Sequence, residues 1–130
     1  MYKRQCLDVG CGSGVLALAA ARLGMVARGV DIDPQSVRSA REGAANNTLE
    51  AEFDDTPVER IEGRYDLVVA NLFAEVLVAL APHLIRLTGG HLALAGILSD
   101  RAESVVAAYG SLRLLERRDD GEWTALVYAR

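Results

Sequence analysis

A glycine-rich segment near the amino terminus constrains the fold of this chain more than any other feature of its sequence. Residues 10–14 read GCGSG, and they directly follow a short apolar run over residues 6–9. Glycines at this spacing let a strand turn sharply into a helix and let a ligand approach the loop backbone. Residues 15–23 are rich in alanine and leucine and end at Gly24, as a helix commonly does. The pattern therefore predicts a strand, a ligand-binding loop and a helix.

The rest of the chain repeats this alternation. Asp33 and Pro34 supply a helix N-cap and a first-turn proline, directly after an apolar run over residues 26–31 that predicts a strand. The further predicted elements are a helix to about residue 46, a weaker strand over 49–53, a strand over 65–70, a helix over 72–87 that Gly89-Gly90 ends, a strand over 91–98, a helix from Ser99 or Asp100 to Tyr109, and strands over 112–117 and 123–129 around an Asp119-Asp120-Gly121 turn. We therefore expect one Rossmann-like, doubly wound α/β domain over residues 1–130, with a mostly parallel sheet and a carboxyl-terminal antiparallel hairpin.

Charge and cysteine usage limit the classes of partner. The formal net charge is −4 with both signs interspersed, so the chain lacks the basic field that direct nucleic-acid binding needs. The two cysteines lie in the first strand and its loop rather than at paired spacings, which is typical of a reduced, cytoplasmic protein. No apolar run approaches the ~20 residues of a membrane span. We expect a cytoplasmic protein without membrane contact, and its oligomeric state stays open.

The third glycine and an acidic residue bear on the class of ligand. In a dinucleotide-binding fingerprint the third glycine would stand at residue 15, but that residue is Val15. Asp31 ends the second predicted strand, where a carboxylate can accept hydrogen bonds from both hydroxyls of a ribose. Asp8 is expected to bond the loop backbone and so to shape the site without touching the ligand. The spacing favours a nucleoside ligand other than a nicotinamide dinucleotide.

Asn71 supports two interpretations. It ends the strand over residues 65–70, and the carboxyl ends of central parallel strands are where such sheets bind ligands, so its amide oxygen can accept from a substrate. Asparagine is also a favoured N-cap, and a helical pattern starts at Leu72. Both roles remain open on the sequence alone.

The histidines and late aromatic residues have plainer interpretations. His83 and His91 have no cysteine or carboxylate partner at metal-ligand spacing, so we expect both at the surface and no metal site. Trp123 and Tyr128 fall in the terminal hairpin, where aromatic side chains usually pack the sheet. A Trp123 that faces a substrate is the alternative.

Two groups of motifs resemble known methyltransferases. LDVGCGSG over residues 7–14 and GVDIDP over residues 29–34 look like the first two motifs of class I methyltransferases. The later motifs resemble a narrower group, the ribosomal protein L-eleven methyltransferase family. They are YDLVVANL over 65–72, LAP over 80–82, GIL over 96–98 and GEW over 121–123. The resemblance runs through nearly the whole chain and implies a class I methyltransferase fold.

The resemblance also implies an activity and a set of site residues. The activity is transfer of methyl groups from S-adenosylmethionine to amino groups, lysine side chains and an N-terminal amine, of a large-subunit ribosomal protein. The implied residues are Gly10, Gly12 and Gly14 at the methionine end, Asp31 at the ribose, Asp54 at the adenine, and Asn71 as the catalytic residue at the methyl-transfer face. Asp8, Cys11 and Ile32 complete the implied cofactor-binding set. Whether Asp54 or the adjacent Asp55 contacts adenine stays open. The family's amino-terminal substrate-recruiting domain is expected to be absent, which leaves the activity of this chain alone open.

Three alternatives stand beside this prediction. The chain could methylate another protein or a small molecule, or it could bind S-adenosylmethionine without catalysis. A nicotinamide-dependent oxidoreductase is the third alternative, and Val15 disfavours it.

Overall fold

A seven-stranded sheet organises residues 2–130, the part of the chain that the computed structural model describes. Its strands are β1 (Gln5–Val9), β2 (Val26–Val30), β3 (Ala51–Asp54), β4 (Tyr65–Asn71), β5 (Thr88–Leu98), β6 (Arg113–Asp120) and β7 (Trp123–Ala129). The helices are α1 (Val15–Arg22), α2 (Pro34–Asn46), α3 (Ala74–Leu87) and α4 (Ala102–Ala108), with 3₁₀ turns over Val58–Arg60 and Ser99–Arg101.

The strand order is β3-β2-β1-β4-β5-β7-β6. Strands β1 to β5 pair in parallel, and β7 runs antiparallel to both of its neighbours, β5 and β6. The predicted doubly wound sheet with a terminal hairpin is therefore confirmed. Each parallel pair needs a crossover between its strands, and the helices and the Val58–Arg60 turn supply these connections.

Several element boundaries differ from the sequence expectations. Helix α3 begins at Ala74, two residues later than predicted, and the Gly89-Gly90 pair lies inside β5 rather than ending the helix in a loop. A Cβ on Gly90 would stand 2.5 Å from the backbone oxygen of Asp66, so the glycines allow β4 and β5 to pair closely. The predicted helix from residue 99 begins as a 3₁₀ turn, and β6 extends through Asp120.

The two faces of the sheet carry different packing. One face buries large aliphatic side chains against α3 and α4, including Leu7, Leu77 and Leu92, each with 0% exposure. Burial of each such side chain contributes about 2 kcal/mol. The other face packs against α1 and α2 through small residues such as Ala17 and Ala40, which let these helices lie close to the strands. The longest helix has 14 residues, and within residues 2–130 no helix is both long and apolar enough to cross a bilayer.

The strand order reverses its direction of growth between β1 and β4. The chain adds β2 and β3 on one side of β1, and then β4 and β5 on the other side. In open α/β sheets the crevice at such a switch point, outside the carboxyl ends of the strands, is where ligands bind. The loops after β1, β2 and β4 are therefore the place to look for a site.

Candidate functional site

Backbone hydrogen bonds tie the glycine loop to the end of β2. The N–H groups of Gly10 and Cys11 both donate to the backbone oxygen of Val30, at 2.9 and 3.0 Å, and Gly14 N donates to Cys11 O at 2.9 Å. Gly10, Gly12 and Gly14 have φ values of 70°, 54° and 86°. These left-handed conformations cost a residue with a side chain about 1–2 kcal/mol each. The loop therefore has the fixed shape that its glycines predicted.

Two of the loop glycines are also required by their neighbours. A Cβ on Gly14 would stand 2.9 Å from the ring of Phe53 and 3.0 Å from the Cβ of Ala40. A Cβ on Gly10 would stand 2.6 Å from Cδ2 of Leu72. Gly10 thus brings the loop after β1 into contact with the segment after β4, and the two predicted parts of the site meet there.

Asp8 bonds the start of α1 from below the loop. Its Oδ2 accepts from Ala17 N at 3.2 Å, and the residue is 2% exposed. Burial raises the Asp8 pKa to about 6; the Ala17 N–H works against this shift, and the nearby Asp31 carboxylate adds to it. Asp8 therefore bonds the first turn of α1 rather than the loop backbone that we expected. The N-cap of α1 is Gly14, which has no side chain, and no acidic residue occupies the first turn. Asp8 takes the Ala17 N–H, so the Val15 and Leu16 N–H groups are the donors that a ligand carboxylate could meet there.

A cavity of about 320 Å³ opens beside the loop, at the switch point of the sheet. We call it the first cavity. Gly10, Asp31 and Ile32 of the predicted set line it. Ile32 is 83% exposed, and an apolar side chain left so exposed at a cavity mouth suits the face of a planar base. The complete lining is Val9, Gly10, Val30, Asp31, Ile32, Thr56, Pro57, Val58, Glu59, Leu72, Val76 and Leu80.

Asp54 lies outside the first cavity. Its carboxylate forms an ion pair with Arg28, with Nε 2.9 Å from Oδ2 and Nη2 3.0 Å from Oδ1, and it accepts from Thr56 N at 3.0 Å. Burial raises the pKa of this carboxyl, but the bonds from Arg28 and Thr56 outweigh burial and hold the pKa at about 2. Asp55 is exposed and does not line this cavity either. The prediction that one of the two contacts adenine finds no support in this geometry.

Three residues of the first cavity were not predicted from the sequence. Thr56, Pro57 and Val58 follow β3 and line the first cavity. A signal was available, because β3 pairs in parallel with β2, so the loops at their carboxyl ends are neighbours. The short apolar sequence after Asp55 could have been assigned to the base on that ground.

A second cavity of about 520 Å³ adjoins the first. The two share Leu72 and Val76, and the complete lining of this second cavity is Asn71, Leu72, Phe73, Val76, Ala95, Gly96 and Trp123. Asn71 is exposed at the end of β4 and does not cap α3, whose N-cap is Phe73 without a side-chain bond. The N-cap interpretation of Asn71 is therefore wrong, and its amide faces the second cavity instead.

Gly96 fixes the space around Asn71. The register between β5 and β7 shifts between Leu94 and Ile97, and within this irregularity Gly96 has a φ of 80°. A Cβ on Gly96 would stand 2.5 Å from Asn71 Oδ1 and 3.0 Å from the backbone oxygen of Leu72. Asn71 Oδ1 and Leu72 O, two hydrogen-bond acceptors, therefore both lie beside this glycine, where a side chain would displace them.

Trp123 lies at the second cavity. It is 46% exposed and lines this cavity rather than lying in the core, so the favoured prediction that it packs the sheet does not describe it. That Trp123 faces a substrate stays a prediction. Tyr128 is 1% exposed and does pack the sheet, as predicted. Both lie on β7, but their positions in the strand place one in the core and the other at the cavity.

The remaining candidate groups do not contribute reactive chemistry. Cys11 is 9% exposed, and burial raises the pKa of its thiol to about 12, so the thiol stays protonated at neutral pH. His91 is exposed as expected, whereas His83 is half-buried with its Nδ1 3.2 Å from Arg86 Nη2. Within residues 2–130 there is no group of three or more potential ligands that could hold a metal ion.

Comparison with known proteins identifies a family. The family model described as ribosomal protein L11 methyltransferase (PrmA) matches residues 2–130. A relative of that name from Pelobacter propionicus is 51% identical over 133 residues, covering 95% of this chain and 42% of its own length. The chain thus spans about two fifths of the length of the curated relatives it matches.

Solved structures agree with this result. The crystal structure of ribosomal protein L11 methylase from Lactobacillus delbrueckii subsp. bulgaricus matches 100% of this chain and 71% of that chain, with a TM-score of 0.93 and 30% identity. Magnesium protoporphyrin IX methyltransferase from Synechocystis, with bound SAH, matches 98% of this chain and 74% of its own at a TM-score of 0.81 and 19% identity, which shows the shared fold. The chain belongs to the PrmA family of ribosomal protein L11 methyltransferases.

Proposed function

We propose that this chain is the S-adenosylmethionine-binding catalytic domain of a methyltransferase that acts on amino groups of ribosomal protein L11. One observation carries the proposal: the first and second cavities share the wall formed by Leu72 and Val76, with Asp31 in one and Asn71 in the other. A methyl donor in the first cavity and an amine in the second would meet across that wall. We assign residues 1–130 to this cofactor-binding domain.

The first cavity fits a nucleoside that carries an amino-acid group. Asp31 offers a carboxylate to the ribose hydroxyls, and the apolar lining from Ile32, Pro57 and Leu80 suits the adenine ring. At the start of α1, Asp8 takes the Ala17 N–H, and the Val15 and Leu16 N–H groups remain as donors to the methionine carboxylate. Asp31 and Glu59 give the cavity negative charge, which suits a ligand whose sulfonium and ammonium are both positive.

Methyl transfer demands alignment more than it demands a reactive side chain. Bound S-adenosylmethionine supplies a methyl group on a sulfonium, so a C–N bond forms as the C–S bond breaks and the electron pair leaves with sulfur. A lysine amine has an ordinary pKa near 10.4 and must first lose a proton. Asn71 Oδ1 and Leu72 O, which both lie beside Gly96, can accept hydrogen bonds from the neutral amine and direct its lone pair.

The substrate proposal rests on the family. Relatives that are 51% and 49% identical to this chain are named ribosomal protein L11 methyltransferase. Lysine side chains and the N-terminal amine are the acceptors that we propose. A ribosomal protein substrate places the enzyme in the cytoplasm, where ribosomes are assembled.

Binding and transfer can be tested separately on the purified chain. We expect calorimetry to show S-adenosylmethionine and its demethylated product binding in the micromolar range, and NADH not binding. Asp31→Ala should lose at least about a hundredfold in affinity, because the ribose loses two charge-assisted hydrogen bonds. Glu42→Gln, at an exposed position on α2, is the matched control and should bind as the wild type does.

Transfer is followed with a labelled methyl group and purified ribosomal protein L11. We expect label on lysine or the N-terminal amine, and Asn71→Ala should slow transfer while leaving product binding within threefold of the wild type, that is, within about 0.6 kcal/mol. Binding without transfer to any acceptor would reduce the proposal to a cofactor-binding module. A folded chain that binds neither ligand would overturn it.

A further inference from the structure

The Asp31 carboxylate is bonded to the protein backbone on both of its oxygens. Oδ2 accepts from Gly12 N at 2.9 Å, and Oδ1 accepts from Asp33 N at 2.9 Å. The first bond joins the middle of the glycine loop to the end of β2, across 19 residues of sequence. The second fixes the carboxylate at the entrance to α2, where Asp33 itself caps the helix through Gln35 N at 3.0 Å. Asp31 is thus held in place before any ligand contacts it.

The contact with Asp31 distinguishes Gly12 from the other two loop glycines. Gly10 and Gly14 are held by backbone bonds to Val30 and Cys11 and lie against the side chains of Leu72 and Phe53. At Gly12, by contrast, no heavy atom beyond its chain neighbours lies within 4 Å of the point where a Cβ would stand. The carboxylate bond is therefore the tertiary contact that holds the middle of the loop.

The two bonds leave Asp31 able to bind a ribose. An ionised carboxylate has about four lone-pair sites, and the backbone uses one on each oxygen. The remaining two can accept from the two ribose hydroxyls. One side chain can then receive the ribose and, through Gly12, hold the loop that lies beside the methionine portion.

We propose that Asp31 is a positioning residue for the methionine end of the ligand as well as its ribose-binding residue, and that it couples the two ends by holding the Gly12 amide. This inference rests on the proposed cofactor function. It predicts that loss of the carboxylate weakens ligands with a methionine portion more than ligands without one. The additional loss is about tenfold, which corresponds to the ordering cost of one loop residue.

Two measurements on the same variants test the coupling. Calorimetry compares S-adenosylhomocysteine with 5′-methylthioadenosine, which keeps the adenosine and the sulfur but lacks the carboxylate and ammonium. Amide hydrogen exchange, followed by NMR without ligand, reports the Gly12 N–H directly. For Asp31→Ala we expect an additional loss of about tenfold for S-adenosylhomocysteine, and Gly12 exchange faster by a similar factor. A residue that served only the ribose would change neither the ligand ratio nor the exchange.

Asp31→Asn and Glu59→Gln complete the design. Asp31→Asn keeps one acceptor oxygen, so it should give intermediate values of both readouts, and it serves as the fallback if Asp31→Ala does not fold. Glu59→Gln removes a carboxylate that lines the same cavity and is not bonded to the loop, so it measures how far a lost charge alone changes the ligand ratio, and Gly12 exchange should not change.

The outcomes separate this inference from the proposed function. Equal losses for the two ligands, or Gly12 exchange that does not change in Asp31→Ala, would overturn the coupling while leaving cofactor binding intact. If the folded wild-type chain binds neither ligand, the cofactor proposal fails and the coupling fails with it.

Discussion

The glycine loop and the second cavity lie at the same edge of the sheet, but the sequence specifies them in different ways. The loop over residues 10–14 is shaped by left-handed glycines and by bonds to the residues that end β2. The second cavity is assembled by strand pairing, because Asn71 lies opposite Ala95 in the β4–β5 register and Leu98 lies opposite Trp123 in the β5–β7 register. Local residue types determine the shape of the glycine loop, whereas the long-range register of the strands determines the second cavity.

This difference implies that the two regions can fail separately. A substitution in the glycine loop acts on the fold and on cofactor binding, since the loop packs on Phe53 and Leu72. In our proposal, a substitution at the second cavity acts on the methyl acceptor, since its exposed side chains contribute little to the core. The following substitutions test that separation, from the largest expected effect to the smallest.

Gly14→Ala should destabilise the fold far more than Gly12→Ala. Both residues have positive φ, but only at Gly14 would the new Cβ meet the ring of Phe53, at 2.9 Å, and Ala40, at 3.0 Å. We expect a loss of about 4 kcal/mol in the free energy of unfolding for Gly14→Ala and about 1 kcal/mol for Gly12→Ala. Urea unfolding curves measure both losses. Equal losses would show that the cost of each substitution comes from the backbone conformation alone and not from contacts of the new Cβ.

Asp8 should make the stability of the glycine-loop region depend on pH. Its folded pKa of about 6 lies above the ordinary value of 3.8 because the carboxyl is buried. The folded state therefore holds the proton more tightly, and the stabilisation is complete below pH 4 and is lost as pH rises through 6. The lost amount is about 3 kcal/mol. Asp8→Asn cannot ionise, so its unfolding free energy should rise relative to the wild type between pH 4 and 7. A constant difference would contradict the raised pKa.

Much of the fold follows from local signals in the sequence. The Asp33-Pro34 pair predicted the start of α2, and the apolar run after Tyr65 predicted β4, because capping and buried-strand patterns depend on neighbouring residues. The start of α3 was predicted too early, since Leu72 continues the apolar pattern while its N–H bonds to Ala95 O on β5. That bond joins residues 23 apart in sequence, and no local pattern contains it.

The site residues follow the same distinction between local signals and long-range pairing. Gly10, Asp31 and Ile32 were predicted from motifs and do line the first cavity. The Asp54 assignment lacks support because Arg28, on the adjacent strand, takes its carboxylate. Gly96 was not placed at the site, and Trp123 was placed there only as the alternative, because their positions depend on the irregular β5–β7 register. Residue type predicted the ligand loop, whereas the acceptor side required the pairing of strands.

Gly96→Ala should remove methyl transfer while sparing cofactor binding. The new Cβ would lie 2.5 Å from Asn71 Oδ1, so the Asn71 side chain must move. It would then leave the position from which we propose that it accepts a hydrogen bond from the substrate amine. We expect about a hundredfold loss in transfer rate, typical of a displacement of about 1 Å, and less than a tenfold change in S-adenosylhomocysteine affinity. Gly63→Ala is the matched control, because Gly63 has a φ of 87° and open space around it. Equal loss of binding and transfer would mean that the two regions are not separable.

Trp123→Ala should weaken the binding of the methyl acceptor alone, and this effect should be the smallest of those predicted. The indole is 46% exposed in the second cavity and contacts the acceptor in our proposal, so its removal should raise the KM for ribosomal protein L11 by about tenfold. The affinity for S-adenosylhomocysteine should not change, because Trp123 does not line the first cavity. Leu115→Ala, which is equally exposed at 46% but lies on β6 away from both cavities, controls for the loss of exposed apolar surface. If Leu115→Ala raises KM as much, the acceptor contacts a broad apolar surface rather than the second cavity, and the contrast between the two regions rests on Asn71 and Gly96 alone.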